Sequence, residues 1–111
     1  MTKVTFEKQG GRYTGFEASG HAFYASKGND IVCASISVLL INTVNAVTEI
    51  NGEEYELASD EEEGVLVFRV LSDKRESTQT LFEALVMGLR NIRAEYGKKY
   101  LKIEEKEVTK C

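Results

Sequence analysis

Apolar and polar positions alternate from the start of the chain. Val4, Phe6 and Lys8 interleave with Thr5, Glu7 and Gln9, which predicts a strand. Gly10-Gly11 follows, a pair suited to a two-residue hairpin turn with positive φ. Tyr13 to Ala18 then predicts a returning strand, with Gly15 read as a bulge. Residues 20–29 carry glycines near both ends and read as a loop, and Ser26 to Asn29 suggest a lid that closes on a ligand. From Ile31 to about Ile50 the period changes. Val32, Ile36, Leu39 or Leu40, Val44 and Val47 recur at helical spacing, with Asp30 as N-cap and Asn51-Gly52 as the stop. The stripe is wide, so this helix is expected to be largely buried.

The second half repeats the scheme. Tyr55 to Ala58 is a short strand, Asp60 to Gly64 an acidic turn, and Val65 to Leu71 a β-branched strand. A second helix from about Ser77 or Thr78 to Tyr96 shows Phe82, Leu85, Leu89, Ile92 and Tyr96 on one face, and Gly97 ends it. Leu101 to Val108 alternates again. The order β-β-α-β-β-α-β predicts a single α+β domain over residues 1–111, with two helices on one face of an antiparallel or mixed sheet. Polar residues on the other sheet face leave it open to solvent, and an open face or edge points to a dimer.

Composition narrows the function. The chain has 111 residues, 42% hydrophobic and 29% charged, and no proline. Its net charge of −4 argues against direct nucleic-acid binding, which needs a basic stripe. The N-terminus lacks the apolar core of a signal peptide. The apolar stretch Ile31 to Val47 is interrupted by Ser35, Ser37, Asn42, Thr43 and Asn45, so no membrane span is expected and a cytoplasmic location is. Two cysteines, Cys33 and Cys111, and one histidine are too few for a structural zinc site; neither metal nor cofactor is expected.

The candidate chemistry lies in Cys33 and His21. With Asp30 as N-cap, Cys33 is the third residue of the first helix. The free N–H groups and partial positive charge there stabilise a thiolate, which attacks a carbonyl carbon well. His21 lies at the end of the second strand, before the loop that leads back to Cys33; it could take the thiol proton and return it to a leaving amine. On the residues alone, a small buried thiol and a structural or surface histidine are the more usual readings. Two roles are open to Asp30: capping the helix, or orienting His21. Ser37, one turn after Cys33, either bonds near the site or back to a helix carbonyl. Phe23 and Tyr24 either contact an apolar peptide or pack on the core.

Gly20-His21-Ala22, then Gly28, then Asp30-Ile31-Val32-Cys33-Ala34 with Ser37 following, resembles the ribosomal-processing cysteine protease family across nearly the whole chain. Ser35 departs from it, standing where the family more often has a small apolar residue. The resemblance implies Cys33 as nucleophile and His21 as base, with Asp30, Ser37 and Gly20 in support. It implies a homodimer that removes a short N-terminal extension from the precursor of large-subunit ribosomal protein twenty-seven. That extension ends in an aromatic-rich segment, so an apolar groove is expected near Cys33. The competing readings are a non-catalytic assembly factor that only holds a ribosomal protein, and a thiol redox sensor with Cys111 as resolving thiol.

Overall fold

The computed structural model describes residues 1–20 and 31–108. The elements in order are β1 (Thr2–Gln9), β2 (Arg12–Ser19), α1 (Ile31–Asn45) continued by one π-helical turn (Ala46–Ile50), β3 (Tyr55–Asp60), β4 (Val65–Val70), α2 (Ser77–Tyr96) and β5 (Leu101–Glu107). The expected order and class hold. The five strands form one mixed sheet in the order β3-β4-β2-β1-β5. Every pairing is antiparallel except β1 with β5.

The alternation in β1 sends Val4 and Phe6 into the core and Lys3, Thr5 and Glu7 to the far face. Gly10 and Gly11 adopt φ of 59° and 79°, the positive values a tight hairpin requires. The register shift of this hairpin makes Thr14 the extra residue, one position before Gly15. Gly15 is needed for a different reason than a bulge: a Cβ there would collide with the carbonyl oxygen of Phe68 on β4.

Both helices lie on one face. Phe6, Phe16, Phe68 and Phe82 are fully buried between sheet and helices, and Tyr13 stacks on Phe82 with ring centroids 5.7 Å apart. Each such side chain contributes about 1.5–3 kcal/mol by leaving water. Phe82, Leu85, Val86 and Leu89 form the inner stripe of α2. The opposite sheet face is polar, as expected, and is crossed by ion pairs between Lys3 and Glu104 (3.0 Å) and between Arg69 and Glu7 (3.1 Å).

The first helix departs from expectation in one respect. Val32, Ile36, Leu40, Val44 and Val47 are buried, but Ile31, Val38, Ile41 and Ile50 are exposed. One side of α1 meets the sheet and another meets α2, where Leu39 packs against Gly88; the remaining apolar positions face outward. The helix is therefore not largely buried. Ile31–Ile50 is also long and apolar enough, at a mean hydropathy of 1.9, to cross a bilayer, so its polar interruptions exclude less than the sequence reading supposed. The same apolar stripe is used here to cover the sheet.

Candidate active site

Cys33 is the third residue of α1, as the sequence predicts, and is partly exposed rather than sunk among aliphatic side chains. The helix turns its buried stripe toward the sheet, which leaves Cys33 and Ser37 on the flank of that stripe. There they line a cavity of about 250 Å³. Its floor is apolar: Ala18 of β2, Ile36 and Leu40 of α1, and Val65 and Leu66 of β4. The expected apolar groove beside Cys33 is thus present. The opposite wall is Ser59, Asp60 and Glu61, where β3 passes into the turn before β4.

Gly20 lines the same cavity as Cys33, thirteen positions later in the chain. Its backbone has φ of +97°, and a Cβ there would strike the carbonyl oxygen of Met1. The end of β2 is therefore held against the start of β1, and the chain leaves β2 at the edge of the cavity that contains the sulfur. Only glycine fits this exit without strain. Gly20→Ala is expected to cost about 1–3 kcal/mol of stability, read by urea unfolding, and to lower peptide hydrolysis as well. A variant as stable and active as the parent would show that the close approach has no consequence.

His21, Phe23, Tyr24 and Asp30, together with the suggested lid at 26–29, lie outside the described residues, as does Cys111. Ser37 is exposed at the cavity and makes neither of the two bonds considered for it among the described residues. Ser35, the residue that departs from the motif, donates back to the Ile31 carbonyl at 2.8 Å and so occupies its hydroxyl within the helix. Among the described residues no three His, Cys, Asp or Glu side chains converge to hold a metal ion.

The wall formed by Ser59, Asp60 and Glu61 was not foreseen. Asp60 to Gly64 reads as an acidic turn, but only the β3-β4-β2 strand order brings it opposite Cys33. Local sequence holds no signal of that order.

A thiol in the first turn of a helix, open to an apolar cavity large enough for a side chain, is the arrangement of a cysteine hydrolase. Comparison with known proteins gives the family. Residues 1–102 match the model of the cysteine protease Prp family, and the chain belongs to it; it is a cysteine protease. The ribosomal processing cysteine protease Prp of Bacillus subtilis is 33% identical over 85 residues, covering 73% of this chain and 76% of that protein. The protein of the same name from Staphylococcus aureus is 29% identical over 87 residues, covering 78% and 82%. The crystal structure of the S. aureus protease with a covalently linked product peptide superposes with a TM-score of 0.86. It is 26% identical, over 96% of this chain and all of that one. A Streptococcus mutans protein of solved structure gives a TM-score of 0.83 at 29% identity, over 97% and 96%.

Proposed function

We propose that this protease cleaves a peptide bond with Cys33 as nucleophile and His21 as general base. The supporting observation is the single cavity shared by Gly20, the residue before His21, and Cys33. In this reading His21 takes the thiol proton and the sulfur attacks the scissile carbonyl carbon, forming a tetrahedral oxyanion. The N–H groups at the start of α1 are the nearest donors for it. The C–N bond then breaks, and His21 gives its proton to the departing amine. Water, deprotonated by His21, attacks the thioester; the acyl group leaves as a carboxylic acid and the thiol is restored. Asp30 and Ser37 are assigned supporting roles, Asp30 as cap or orienter and Ser37 as a polar group one turn from the sulfur. Phe23 and Tyr24 are assigned to peptide contact.

The substrate in this proposal is the precursor of large-subunit ribosomal protein twenty-seven, trimmed in the cytoplasm at an N-terminal extension rich in aromatics. Two findings support that choice: the apolar cavity floor, and relatives named as ribosomal processing proteases. One S. aureus crystal structure holds a substrate peptide. A homodimer belongs to the same proposal. β3 is an edge strand, and its Tyr55 and Leu57 stand half-exposed on the helix-bearing side of the sheet, where α1 leaves Ile41 half-exposed too. Light scattering should give twice the chain mass; a monomer at micromolar concentration would remove this part.

The decisive experiment incubates the protein with the precursor from its own organism and reads the product by mass spectrometry. A single new N-terminus and a transient adduct on Cys33 are expected. Intact precursor, or cleavage without any adduct, would count against the proposal.

A further inference from the structure

We infer that Asn51-Gly52 is a site of self-modification held shut by the join between the first helix and α2, and that deamidation there keeps the join from closing again. This property stands apart from the chemistry at Cys33.

Asn51 is the one asparagine of the chain that is followed by glycine. Such a pair is prone to react with itself, because no side chain on the second residue shields its nitrogen. The Gly52 nitrogen gives its proton to water or hydroxide and attacks Cγ of Asn51. The Cγ–Nδ2 bond breaks, and Nδ2 takes a proton from water and leaves as ammonia. Water then opens the resulting succinimide at either carbonyl, giving aspartate or isoaspartate. The net change is one water consumed and one ammonia released.

The fold opposes each step. Ring closure needs the Gly52 nitrogen on the same side as the Asn51 Cβ. Asn51 ends the π-helical turn with φ −85° and ψ −16°, which turns that nitrogen away. Its N–H donates to the Ala46 carbonyl at 3.1 Å and fixes this backbone. The leaving nitrogen is held as well: Nδ2 donates to Ser77 Oγ at 3.0 Å and to Thr78 Oγ1 at 2.9 Å, both at the start of α2. Asn51, Glu53 and Thr78 are buried together, away from the water the reaction needs. Deamidation therefore requires the join to open locally.

Reclosure is then opposed by charge. Thr78 Oγ1 already donates its proton to Glu53 Oε2 at 2.6 Å. An oxygen in place of Nδ2 meets that hydroxyl with a lone pair instead of a proton. It also brings a second carboxylate beside the buried Glu53. Isoaspartate in addition lengthens the main chain between the N–H groups of Asn51 and Glu53, which donate to the carbonyls of Ala46 and Val47. No step restores the amide, so each opening that ends in reaction removes a molecule from the stable population.

The test ages the whole protein at mildly alkaline pH and locates acid formation at residue 51 by tandem mass spectrometry. In urea that unfolds the chain, deamidation is expected about a hundredfold faster than in native buffer. Below the unfolding transition, its rate should rise with urea less steeply than global unfolding does, as local opening requires. Glu53→Gln, which weakens the join, should speed the native reaction about tenfold. Gly52→Ala, compared with wild type in the unfolding urea where its own folding is irrelevant, should slow the reaction about tenfold. The fraction modified at residue 51, separated by anion exchange on its added charge, should unfold at lower urea than fresh protein. Equal rates in native buffer and in urea, or a native rate that follows global unfolding alone, overturns the gate. A modified fraction as stable as fresh protein overturns the block on reclosure.

Discussion

Cys33→Ala is expected to lower kcat/KM by about ten-thousand-fold or more while leaving the folded protein intact. Covalent catalysis divides amide hydrolysis into two easier steps, and only the sulfur provides the first. Among the described residues no other thiol lines the cavity. Ser37 has a hydroxyl but sits one turn further along α1; the hydroxyl residues Thr2, Ser19 and Ser59 also line the cavity but lie on strands rather than at a helix start, and the rest of the described lining is glycine, aliphatic or carboxylate. The structural cost is small because the side chain is only partly buried at the cavity edge and lies outside the core stripe. Removing its sulfur should shift stability by about 1 kcal/mol or less. A second variant sharpens the test. If Cys33 and His21 act as one unit, adding His21→Ala to Cys33→Ala should cause little further loss, since both steps they serve are already gone. Two independent, multiplying losses would mean that the histidine contributes something other than the thiol's proton. Retention of activity within tenfold by Cys33→Ala would end the nucleophile assignment.

What the sequence made legible follows the range of the interactions concerned. The β1–β2 hairpin is written in adjacent residues: two alternating runs and a glycine pair between them, so its turn follows directly. The α2 stripe is equally local, as Phe82, Leu85 and Leu89 all lie on one face by spacing alone. Cys33 is legible because a residue type suited to capping, a change to helical spacing and a distinctive motif coincide there in the sequence. Strand order is another matter. The parallel pairing of β1 with β5 joins the two ends of the chain, and no short-range pattern encodes it. The outward turn of Val38 and Ile41 is likewise hidden, because a helix apolar on three sides does not say which two sides will be covered. The acidic wall opposite Cys33 depends on the same long-range order. Glu53 is the clearest case. It stands beside Glu54 in a polar segment that gives no reason to tell them apart, yet Glu53 is 3% exposed and Glu54 lies in solvent.

Glu53→Ala is expected to destabilise the fold by about 3–5 kcal/mol, a large part of what a domain this size has. The carboxylate follows the π-helical turn that ends the first helix and reaches across to the segment that begins α2. It accepts from Ser72 Oγ and Thr78 Oγ1, both at 2.6 Å, and from the N–H groups of Lys74 at 2.9 Å and Arg75 at 3.1 Å. Asn51 adds bonds to Ser77 and Thr78 from the same side. Truncation would leave these donors, Thr78 buried and the others partly so, without their acceptor, and would release the start of α2 from the end of the first helix. The clamp has a pH signature. Burial pushes the Glu53 carboxyl up, but the bonds from Ser72, Thr78, Lys74 and Arg75 outweigh it and hold the group at about 2, against an ordinary 4.5. A carboxyl whose folded value is depressed lends its full stability above about pH 4.5 and loses it as pH falls toward 2. The difference corresponds to about 3 kcal/mol. Urea unfolding of wild type and Glu53→Gln should therefore show a gap that is wide at pH 7 and mostly closed near pH 2.5, because the amide does not titrate. Comparing the two proteins at each pH removes the contribution of the other carboxylates. A gap of equal size at both pH values would mean that Glu53 is not held as a buried anion, and that the join between the helices depends on packing instead.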